Sequence, residues 1–320
     1  MIKFVQMETQ SQKLKTICNI CSIGCTLEVE INQRKILSIK GVEGLINPEG
    51  EYCSYPVKAV QNMNKLPRIT EPLLRKDGNF QPIGWPDIEI TAGKIKEQPG
   101  VVAFRRCLSN EEQYLIQKLG RGGAKTNNVG SFHYLEREKA YEKLTKANLP
   151  FGELELTTHI YLMDADVAHT HPVLADFIVR QQQCRECRVT TICEKDEMGG
   201  SFDRDNLKVA SVYHFVKAVN YFILRNQLED HQFLGPLIGN FEAYRTALLA
   251  ESYDELIQMA GVSREEVAEF STSFVQEKAA VLVFSENNSA ARTCDELFNL
   301  ACLSGKRRKI TATYVAEGKK

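Results

Sequence analysis

The sequence predicts an α/β protein in which a small cysteine-rich domain at the N-terminus precedes Rossmann-like domains built on parallel sheets. Two observations support this fold class. Cysteines crowd the first 53 residues, and further along short apolar runs of β-forming residues alternate with helical segments. Strands that alternate with helices in this order form parallel sheets with crossover connections.

The N-terminal domain contains a predicted hairpin. Residues 26–31 alternate apolar and polar side chains, residues 32–35 form a turn, and residues 36–39 return as a second strand. Three cysteines precede the first strand, and a fourth follows the second strand. The fold-back is therefore expected to bring the fourth cysteine beside the other three.

The middle of the chain predicts a β-α-β unit. Residues 159–163 and 188–193 are apolar strand candidates, and residues 172–183 form the helix between them. This order implies parallel pairing with a right-handed crossover. Residues 100–104 and 279–284 are further buried strand candidates.

Capping motifs mark the starts of two helices. Ser109-Asn-Glu-Glu112 and Ser263-Arg-Glu-Glu266 each place a serine three residues before a glutamate, which is the capping-box pattern. The second of these helices is predicted to end near residue 276. Residues 212–224 predict a largely buried helix, and Gly305 is predicted to close the last helix.

The cysteine spacing indicates a metal centre. Cys18, Cys21 and Cys25 form a tight triplet, and Cys53 follows after 27 residues. Thiolates suit soft metals, and one triplet with a remote fourth cysteine is closer to a 4Fe-4S arrangement than to the two compact pairs of structural zinc. The competing interpretation is a set of buried, inert cysteines.

Composition limits the possible functions. The chain has 320 residues, 25% of them charged, and a net charge of -1, so electrostatics favour neither nucleic acid nor an anionic membrane. No apolar run approaches the ~20 residues of a membrane helix. The first residues lack an export signal, so we expect a cytoplasmic protein. In a reducing compartment the ten cysteines favour a metal centre over disulfides.

Several segments carry a family resemblance. They are the cysteine pattern with Gly50 three residues before Cys53, Arg68-Ile-Thr-Glu-Pro-Leu-Leu-Arg75, the 109–118 helix, Thr126-Asn-Asn-Val129 and Thr170-His-Pro-Val173. Together they resemble the molybdopterin-dinucleotide oxidoreductases, which include formate dehydrogenase alpha subunits. The large iron-sulfur subunit of respiratory complex I is a cofactor-free cousin. The resemblance extends through most of the chain.

The resemblance implies a fold, a ligand set and domains. The implied fold is a small N-terminal 4Fe-4S domain followed by Rossmann-like parallel-sheet α/β domains of the molybdopterin oxidoreductase type. Cys18, Cys21, Cys25 and Cys53 would bind the cluster as its metal ligands. The expected domains are residues 1–66 for the cluster, residues 67–130 with 280–320 as a discontinuous α/β domain, and residues 131–279 as a Rossmann-like domain.

The sequence departs from that family at its metal-binding loop. Catalytic members place a cysteine or selenocysteine about seven residues after the Val129 position, and here residues 130–137 contain no cysteine. Alignment puts Glu136 at the ligand position, with Ser131 and His133 nearby. A carboxylate is a hard oxygen ligand, but Glu136 lies in a mixed-charge run typical of a solvated helix. We therefore expect no catalytic residue here.

Three more departures concern the bound dinucleotide. Asp164 and Asp166 replace a glycine and an asparagine of the family, and Cys193-Glu194-Lys195 replaces Asp-Pro-Arg. Tyr55 replaces the lysine between cluster and pterin. Added carboxylates repel a phosphate that glycine would admit. We therefore expect no molybdopterin guanine dinucleotide. His169 and His171 are expected to serve the turn and its packing.

These observations predict an electron-transfer iron-sulfur subunit of a multisubunit redox complex, without Mo/W catalysis. The implied partners are other redox subunits, such as flavin or iron-sulfur proteins of a hydrogenase or dehydrogenase, with no nucleic acid and no direct membrane span. The alternative is one part of a split molybdopterin-dependent oxidoreductase of the formate dehydrogenase type. A third interpretation is a structural protein, an assembly platform that has zinc or no metal at the cysteines.

The remaining cysteines raise the question of a second metal site. If residues 184–187 were helical, Cys184 and Cys187 would share a helix face, with Cys193 at the end of the next strand. No fourth ligand with suitable spacing is visible. Ordinary reduced thiols are the favoured interpretation.

Overall fold

The structure, a computed structural model, describes residues 11–21, 23–33, 35–44, 46–67, 69–88, 102–104, 108–131, 151–194, 202, 205–234, 241–284 and 291–305. Its contacts divide the chain into two compact units. The first comprises Met1–Ile20, Leu27–Lys40 and Ser54–Arg137, and the second comprises Cys21–Thr26, Gly41–Cys53 and Glu138–Lys320.

The first unit contains the predicted hairpin. Strands β1 (Gln12–Ile17), β2 (Thr26–Asn32) and β3 (Lys35–Gly41) form a sheet in that order. Alternation along β2 buries Leu27 and Val29, as the sequence pattern predicts. Helix α1 (Ser54–Lys65) follows Cys53. The predicted strands 26–31 and 36–39 are therefore confirmed as neighbours.

The rest of the first unit consists of short elements. Strands β4 (Leu73–Lys76) and β5 (Asn79–Pro82) pair antiparallel across an Asp-Gly turn whose two residues have positive φ, which suits a hairpin. Strands β6 (Val102–Phe104) and β7 (Val129–Ser131) pair in parallel. Helix α2 (Asn110–Lys118) starts at the predicted Ser109 capping box and runs into a π-helical turn, Leu119–Gly123.

The second unit is organised around a parallel sheet. Strands β8 (His159–Met163), β9 (Arg188–Cys193), β10 (Asp205–Lys208) and β11 (Ala280–Phe284) lie in the order β10-β9-β8-β11. All three neighbouring pairs are parallel. Every residue of β8 and β11 is buried, as expected for strands covered on both faces. The predicted parallel α/β fold is thus confirmed.

The place of β11 differs from the expected domain division. We expected residues 280–320 to join residues 67–130, but β11 pairs with β8 along five residues, from Ala280 opposite His159 to Phe284 opposite Met163. An entirely apolar strand needs neighbours on both faces, and the core of the second unit provides them. The other expected boundaries remain predictions.

Helices surround this sheet. They are α3 (Val167–Thr170), α4 (Pro172–Arg185), α5 (Val212–Arg225), α6 (His231–Leu234), α7 (Phe241–Leu249), α8 (Tyr253–Ala260), α9 (Arg264–Gln276) and α10 (Ala291–Leu303), with a 3-10 turn at Phe151–Leu156. Helix α5 is central, since α7, α8, α9 and α10 all pack on it. The Ser263 capping box of α9 is confirmed, and Gly305 follows α10 with a φ of +67°.

A buried polar network joins three of these helices. The Asn220 amide of α5 donates to Glu296 Oε2 at 2.9 Å, to the Glu296 backbone oxygen at 3.0 Å and to the Tyr244 hydroxyl at 3.2 Å. The Tyr244 hydroxyl in turn donates to Glu296 Oε2 at 2.7 Å. Burial and the adjacent carboxylate raise the pKa of Tyr244, so its hydroxyl remains a donor. Two donors thus hold the Glu296 carboxylate inside the core.

His159, the first residue of β8, makes stability depend on pH. It is 3% exposed, and burial together with the Arg188 charge lowers the pKa of His159 to about 4. Between that value and the ordinary 6.5 the unfolded chain binds a proton that the folded chain does not, so stability falls as the pH falls. We expect His159 to contribute a loss of about 3 kcal/mol in unfolding free energy from pH 7 to pH 4.

Urea denaturation followed by far-UV circular dichroism measures this effect. His159→Gln keeps a polar group near Thr190 but removes the titration, so its unfolding free energy should decline less than that of the wild type over the same pH range. Carboxylates elsewhere titrate equally in both proteins and cancel in the difference. Parallel pH profiles for the two proteins would contradict the prediction.

In the described part of the chain, no helix has the length and apolar character needed to cross a membrane.

Candidate metal centre

A buried asparagine organises the loop that leads to Cys53. Asn47 is 0% exposed, and its Oδ1 accepts the Thr26 backbone N–H at 2.8 Å. Its amide donates to the backbone oxygens of Thr26, Val42 and Glu51 at 3.1, 3.2 and 3.0 Å. The Asn47 side chain thus links the residue after Cys25 to the segment just before Cys53.

Glycines allow this loop to close tightly. A Cβ at Gly41, the last residue of β3, would lie 1.9 Å from the Gly50 backbone oxygen. Gly50 has a φ of +76°, in the left-handed region that glycine adopts without strain. Its N–H donates to the Asn47 backbone oxygen at 2.9 Å. Gly50 therefore serves the turn that carries Cys53, which accounts for its place in the family-like motif.

The four predicted ligands occupy distinct positions. Cys25 is 5% exposed, whereas Cys18, Cys21 and Cys53 are partly buried. Cys21, Cys25 and Cys53 belong to the second unit, and Cys18 belongs to the first. The Asn47 bonds bring the backbone next to Cys25 and the backbone before Cys53 together. Among the described residues, no three His, Cys, Asp or Glu side chains are close enough to hold a metal ion.

The donor set nevertheless fits an iron-sulfur cluster by its chemistry. Thiolate is the usual ligand of such clusters, and four thiolates are the usual number for 4Fe-4S. The loop glycines and the Asn47 amide satisfy their backbone bonds without using the cysteine sulfurs. Cys18, Cys21, Cys25 and Cys53 are therefore residues that could hold the cluster.

Arg180 of α4 fastens the Cys53 loop to the second unit. Its guanidinium donates to Glu51 Oε1 at 2.8 Å and to Glu49 Oε2 at 3.2 Å. Partial burial acts against ionisation of Glu51, but its backbone hydrogen bond and Arg180 outweigh it and lower the pKa of that carboxyl. The sequence analysis missed both Asn47 and Arg180. The Asn-Pro-Glu-Gly sequence at 47–50 is typical of a turn and could have indicated the role of Asn47. Arg180 is 129 residues from Glu51, and no local sequence pattern indicates that the two side chains meet.

The segment after β8 keeps a glycine-like backbone without the glycine. Asp164 has a φ of +49° and is 7% exposed, and its N–H donates to the Ile192 oxygen at 2.7 Å. Aspartate is one of the few residues that adopt this region, where the resembling family has glycine. Asp166 caps α3 by accepting the His169 N–H, and its Oδ1 is 2.9 Å from His169 Nδ1. Two carboxylates therefore stand at the carboxyl end of β8.

The histidines of this segment have the expected structural roles. His169 is exposed and pairs with Asp166 in the turn, while His171 is 0% exposed. The His171 backbone oxygen accepts the Ala175 N–H at 3.0 Å, and Pro172 occupies the first turn of α4.

A third carboxylate lies at the carboxyl end of β9. Glu194 Oε1 accepts the N–H of Val212, the first residue of α5, at 2.8 Å. The Ser211 side chain caps the same helix by accepting the His214 N–H. Helix N-termini favour negative charge, and in parallel α/β folds they receive the phosphates of bound nucleotides. Here the protein's own carboxylate takes that position on α5.

Several predicted positions lie outside the described residues. They are Glu136 and His133, which were considered for the family's metal-binding loop, and Lys195. Ser131 is the last residue of β7. Tyr55 lies in α1 and is partly buried, with the Lys58 ammonium 6.0 Å from its ring centroid.

The remaining cysteines do not form the shared helix face that the sequence suggested. Helix α4 ends at Arg185, and Glu186 has a φ of +55°, so Cys187 lies beyond the helix. Cys184 is exposed, whereas Cys187 is 4% exposed. Burial raises the pKa of the Cys187 thiol to about 11, and its Sγ donates to the Arg188 oxygen. Cys187 is therefore a protonated core thiol, a form that binds metals poorly.

Two family profiles match the chain. Residues 11–61 match the profile described as Molybdopterin oxidoreductase Fe4S4 domain, and residues 68–309 match the profile described as Molybdopterin oxidoreductase. The chain belongs to the molybdopterin oxidoreductase family. The Fe4S4 match supports a 4Fe-4S cluster in the N-terminal part of this family member.

Relatives of this family member include proteins named as putative formate dehydrogenases. "Putative formate dehydrogenase YrhE" of Bacillus subtilis (strain 168) is 26% identical over 331 residues, covering 96% of this chain and 34% of the relative. "Putative formate dehydrogenase SH0748" of Staphylococcus haemolyticus (strain JCSC1435) is 26% identical over 319 residues, covering 93% of this chain and 32% of the relative. The chain thus spans about a third of the length of these curated relatives.

A solved structure shares the fold. Acetylene Hydratase from Pelobacter acetylenicus superposes with a TM-score of 0.69 at 16% identity, covering 92% of this chain and 44% of that chain. The predicted N-terminal cluster domain with α/β domains of the molybdopterin oxidoreductase type is therefore confirmed as the fold class.

Proposed function

We propose that this chain is an electron-transfer iron-sulfur subunit of a multisubunit redox complex. It holds one 4Fe-4S cluster on a molybdopterin oxidoreductase scaffold and carries no molybdenum or tungsten chemistry of its own. Its place is the cytoplasm, in line with its ten cysteines. The observation that supports the proposal most is that the Glu194 carboxylate accepts a hydrogen bond at the N-terminus of α5. In parallel α/β folds a helix N-terminus of this kind receives the phosphate of a bound nucleotide.

The cluster-holding residues have clear tasks in this proposal. Cys18, Cys21, Cys25 and Cys53 bind the iron, and the cluster, when bound, accepts and donates single electrons. Asn47 and Arg180 hold the Cys53 loop, Asn47 from inside and Arg180 from its surface. A fixed loop keeps the thiolates and nearby backbone amides in one arrangement, and those surroundings set the potential of such a cluster.

The dinucleotide end of the family's cofactor fits poorly with the carboxylates described here. A pyrophosphate at the carboxyl edge of the sheet would meet Asp164 and Asp166 after β8 and Glu194 after β9. One such charge about 5 Å from a phosphate, at an effective dielectric of about 20, costs about 3 kcal/mol. That lowers affinity roughly a hundredfold. Asp166 and Glu194 already bond to backbone N–H groups, so they are fixed in place.

A relay subunit needs a donor and an acceptor. We propose that these are other redox subunits, flavin or iron-sulfur proteins of a hydrogenase or dehydrogenase. Large apolar side chains of the first unit are more than half exposed, a property of surfaces that partners cover. They include Leu66, Ile69, Phe80 and Trp85.

A second candidate function is one part of a split molybdopterin-dependent oxidoreductase of the formate dehydrogenase type. Its support is the similarity, over more than nine tenths of this chain, to relatives named as putative formate dehydrogenases. In that case another polypeptide would complete the cofactor site.

Elemental analysis with EPR separates the two functions. The protein is purified anaerobically with whatever copurifies, and iron, sulfide, zinc, molybdenum and tungsten are measured per chain. The relay predicts about four iron and four sulfide per chain, a reduced-cluster EPR signal after dithionite, and neither molybdenum nor tungsten. About one molybdenum or tungsten per chain would overturn the relay in favour of the split enzyme. Zinc in place of iron would overturn both.

A further inference from the structure

The loop that carries Cys53 is held by several contacts at one residue, Glu51. Its Oε1 accepts a hydrogen bond from the Arg180 guanidinium at 2.8 Å, and its Oε2 accepts the Glu49 N–H at 3.2 Å. Its backbone oxygen accepts the Asn47 amide at 3.0 Å. All of these residues belong to the second unit. Glu51 is therefore fixed at both carboxylate oxygens and at its backbone.

Stability gives little reason for the ion pairs of this loop. The Arg180 guanidinium also donates to Glu49 Oε2 at 3.2 Å, so one cation is shared between two carboxylates. Glu49 is exposed, and Arg180 and Glu51 are only partly buried. Ion pairs with this degree of exposure add little to the free energy of folding. Their position in the chain is more informative than their strength.

The shared cation places charge beside a predicted cluster ligand. Glu51 stands two residues before Cys53, and two residues of chain span at most about 7 Å. One positive and two negative charges leave the group of Glu49, Glu51 and Arg180 with a net charge of -1. Charges at such short range act on each other within a Debye length, so salt screens them only in part.

Charge at this place affects the cluster because reduction adds one electron and therefore one negative charge. A nearby cation stabilises the reduced form and raises the reduction potential, whereas nearby carboxylates lower it. Arg180 offsets one of the two carboxylates that precede Cys53. Without the guanidinium, both carboxylates would oppose the uptake of the electron.

We propose that Arg180 is a positioning residue that raises the reduction potential of the cluster, by holding Glu51 in place and by neutralising part of the charge beside Cys53. This inference rests on the proposed relay function, in which the cluster takes one electron from the donor subunit and passes it to the acceptor subunit. The ligands lie within residues 11–61, which match the Fe4S4 domain, whereas Arg180 lies within residues 68–309. The potential of the cluster thus depends on a residue outside its own domain.

Potentiometric titration followed by EPR tests the proposal on the full chain, purified anaerobically, at an ionic strength of about 0.15 M. Arg180→Gln should lower the reduction equilibrium constant about tenfold, which is about 59 mV for one electron. Glu51→Gln should raise the constant by a similar factor, because one carboxylate is removed. Arg180→Lys keeps the charge and should lie between the wild type and Arg180→Gln.

The opposite signs separate an electrostatic role from a loosened loop. Loosening alone would shift Arg180→Gln and Glu51→Gln in the same direction, and that result would overturn the proposal. Iron per chain confirms that each variant is loaded, and Glu51→Gln decides if Arg180→Gln loses its iron. Arg185→Gln is the matched control: Arg185 is the last residue of the same helix and pairs with Glu155 instead, so its loss should change the potential far less.

The same measurements distinguish failure of the relay from failure of the role of Arg180. A wild type with no iron and no reduced-cluster EPR signal would overturn the proposed function and the role of Arg180 together. A loaded wild type whose potential is unchanged in Arg180→Gln and Glu51→Gln would overturn the role of Arg180 alone.

Discussion

Replacing Cys53 with serine is expected to remove most of the iron and the EPR signal of the dithionite-reduced protein. Serine is a hard, weakly acidic oxygen ligand, whereas iron-sulfur clusters require soft thiolates. Cys53 is also the remote member of the set, and Asn47 joins the loop that carries it to the residue after Cys25. Its loss should therefore lower iron from about four per chain to below about one. The measurement is iron and sulfide per chain, with EPR on the same sample. Cys21→Ser is expected to behave in the same way.

Cys184→Ser is the matched control for this substitution. Cys184 is an exposed thiol on α4, outside the predicted ligand set. Its replacement changes the same atom but should leave iron, sulfide and EPR signal at wild-type levels. Full iron in Cys53→Ser would remove Cys53 from the ligand set. A loss in Cys184→Ser as large as in Cys53→Ser would indicate general damage to the protein rather than loss of a ligand.

Local sequence signals predicted several elements of both units. The strands 159–163 and 188–193 and both capping boxes are found where apolar runs and serine-glutamate spacing placed them. Such signals are reliable because a fully buried strand and a helix N-terminus each depend on a few adjacent residues. The pairing of β11 with β8 was not predicted, because the sequence of a strand does not specify which other strand it pairs with.

The candidate site shows the same division. The cysteine spacing that predicts the ligands and the altered dinucleotide segment are local sequence signals, whereas the groups that hold these segments come from distant positions. Arg180 reaches Glu51 across 129 residues, and Glu194 caps a helix that starts 18 residues later. The shared helix face considered for Cys184 and Cys187 does not form, because a left-handed Glu186 ends the helix at Arg185, and a glutamate does not usually indicate that conformation.

Asn220→Leu is expected to destabilise the second unit by about 3–5 kcal/mol. In the described part of the chain, the Asn220 amide and the Tyr244 hydroxyl donate to the Glu296 carboxylate, and Glu296 is only 9% exposed. Leucine has a similar volume but no donor, so the buried carboxylate would lose the Asn220 hydrogen bond. The measurement is the free energy of unfolding from urea denaturation at neutral pH. Asn226→Leu is the control, because Asn226 is exposed and its side-chain amide donates to the Phe222 oxygen one turn earlier, and it should cost less than about 1 kcal/mol.

The double variant Asn220→Leu, Glu296→Leu tests whether the buried charge causes the loss. If the cost comes from an uncompensated carboxylate, removing that carboxylate should recover at least half of it, since apolar pairs often replace buried polar networks without net loss. If the cost comes from packing, the two substitutions should add, because each would disturb the contacts of α5 and α10 separately. Additive losses would therefore contradict the electrostatic account. Recovery would show that Asn220 and Tyr244 together make Glu296 tolerable inside this core.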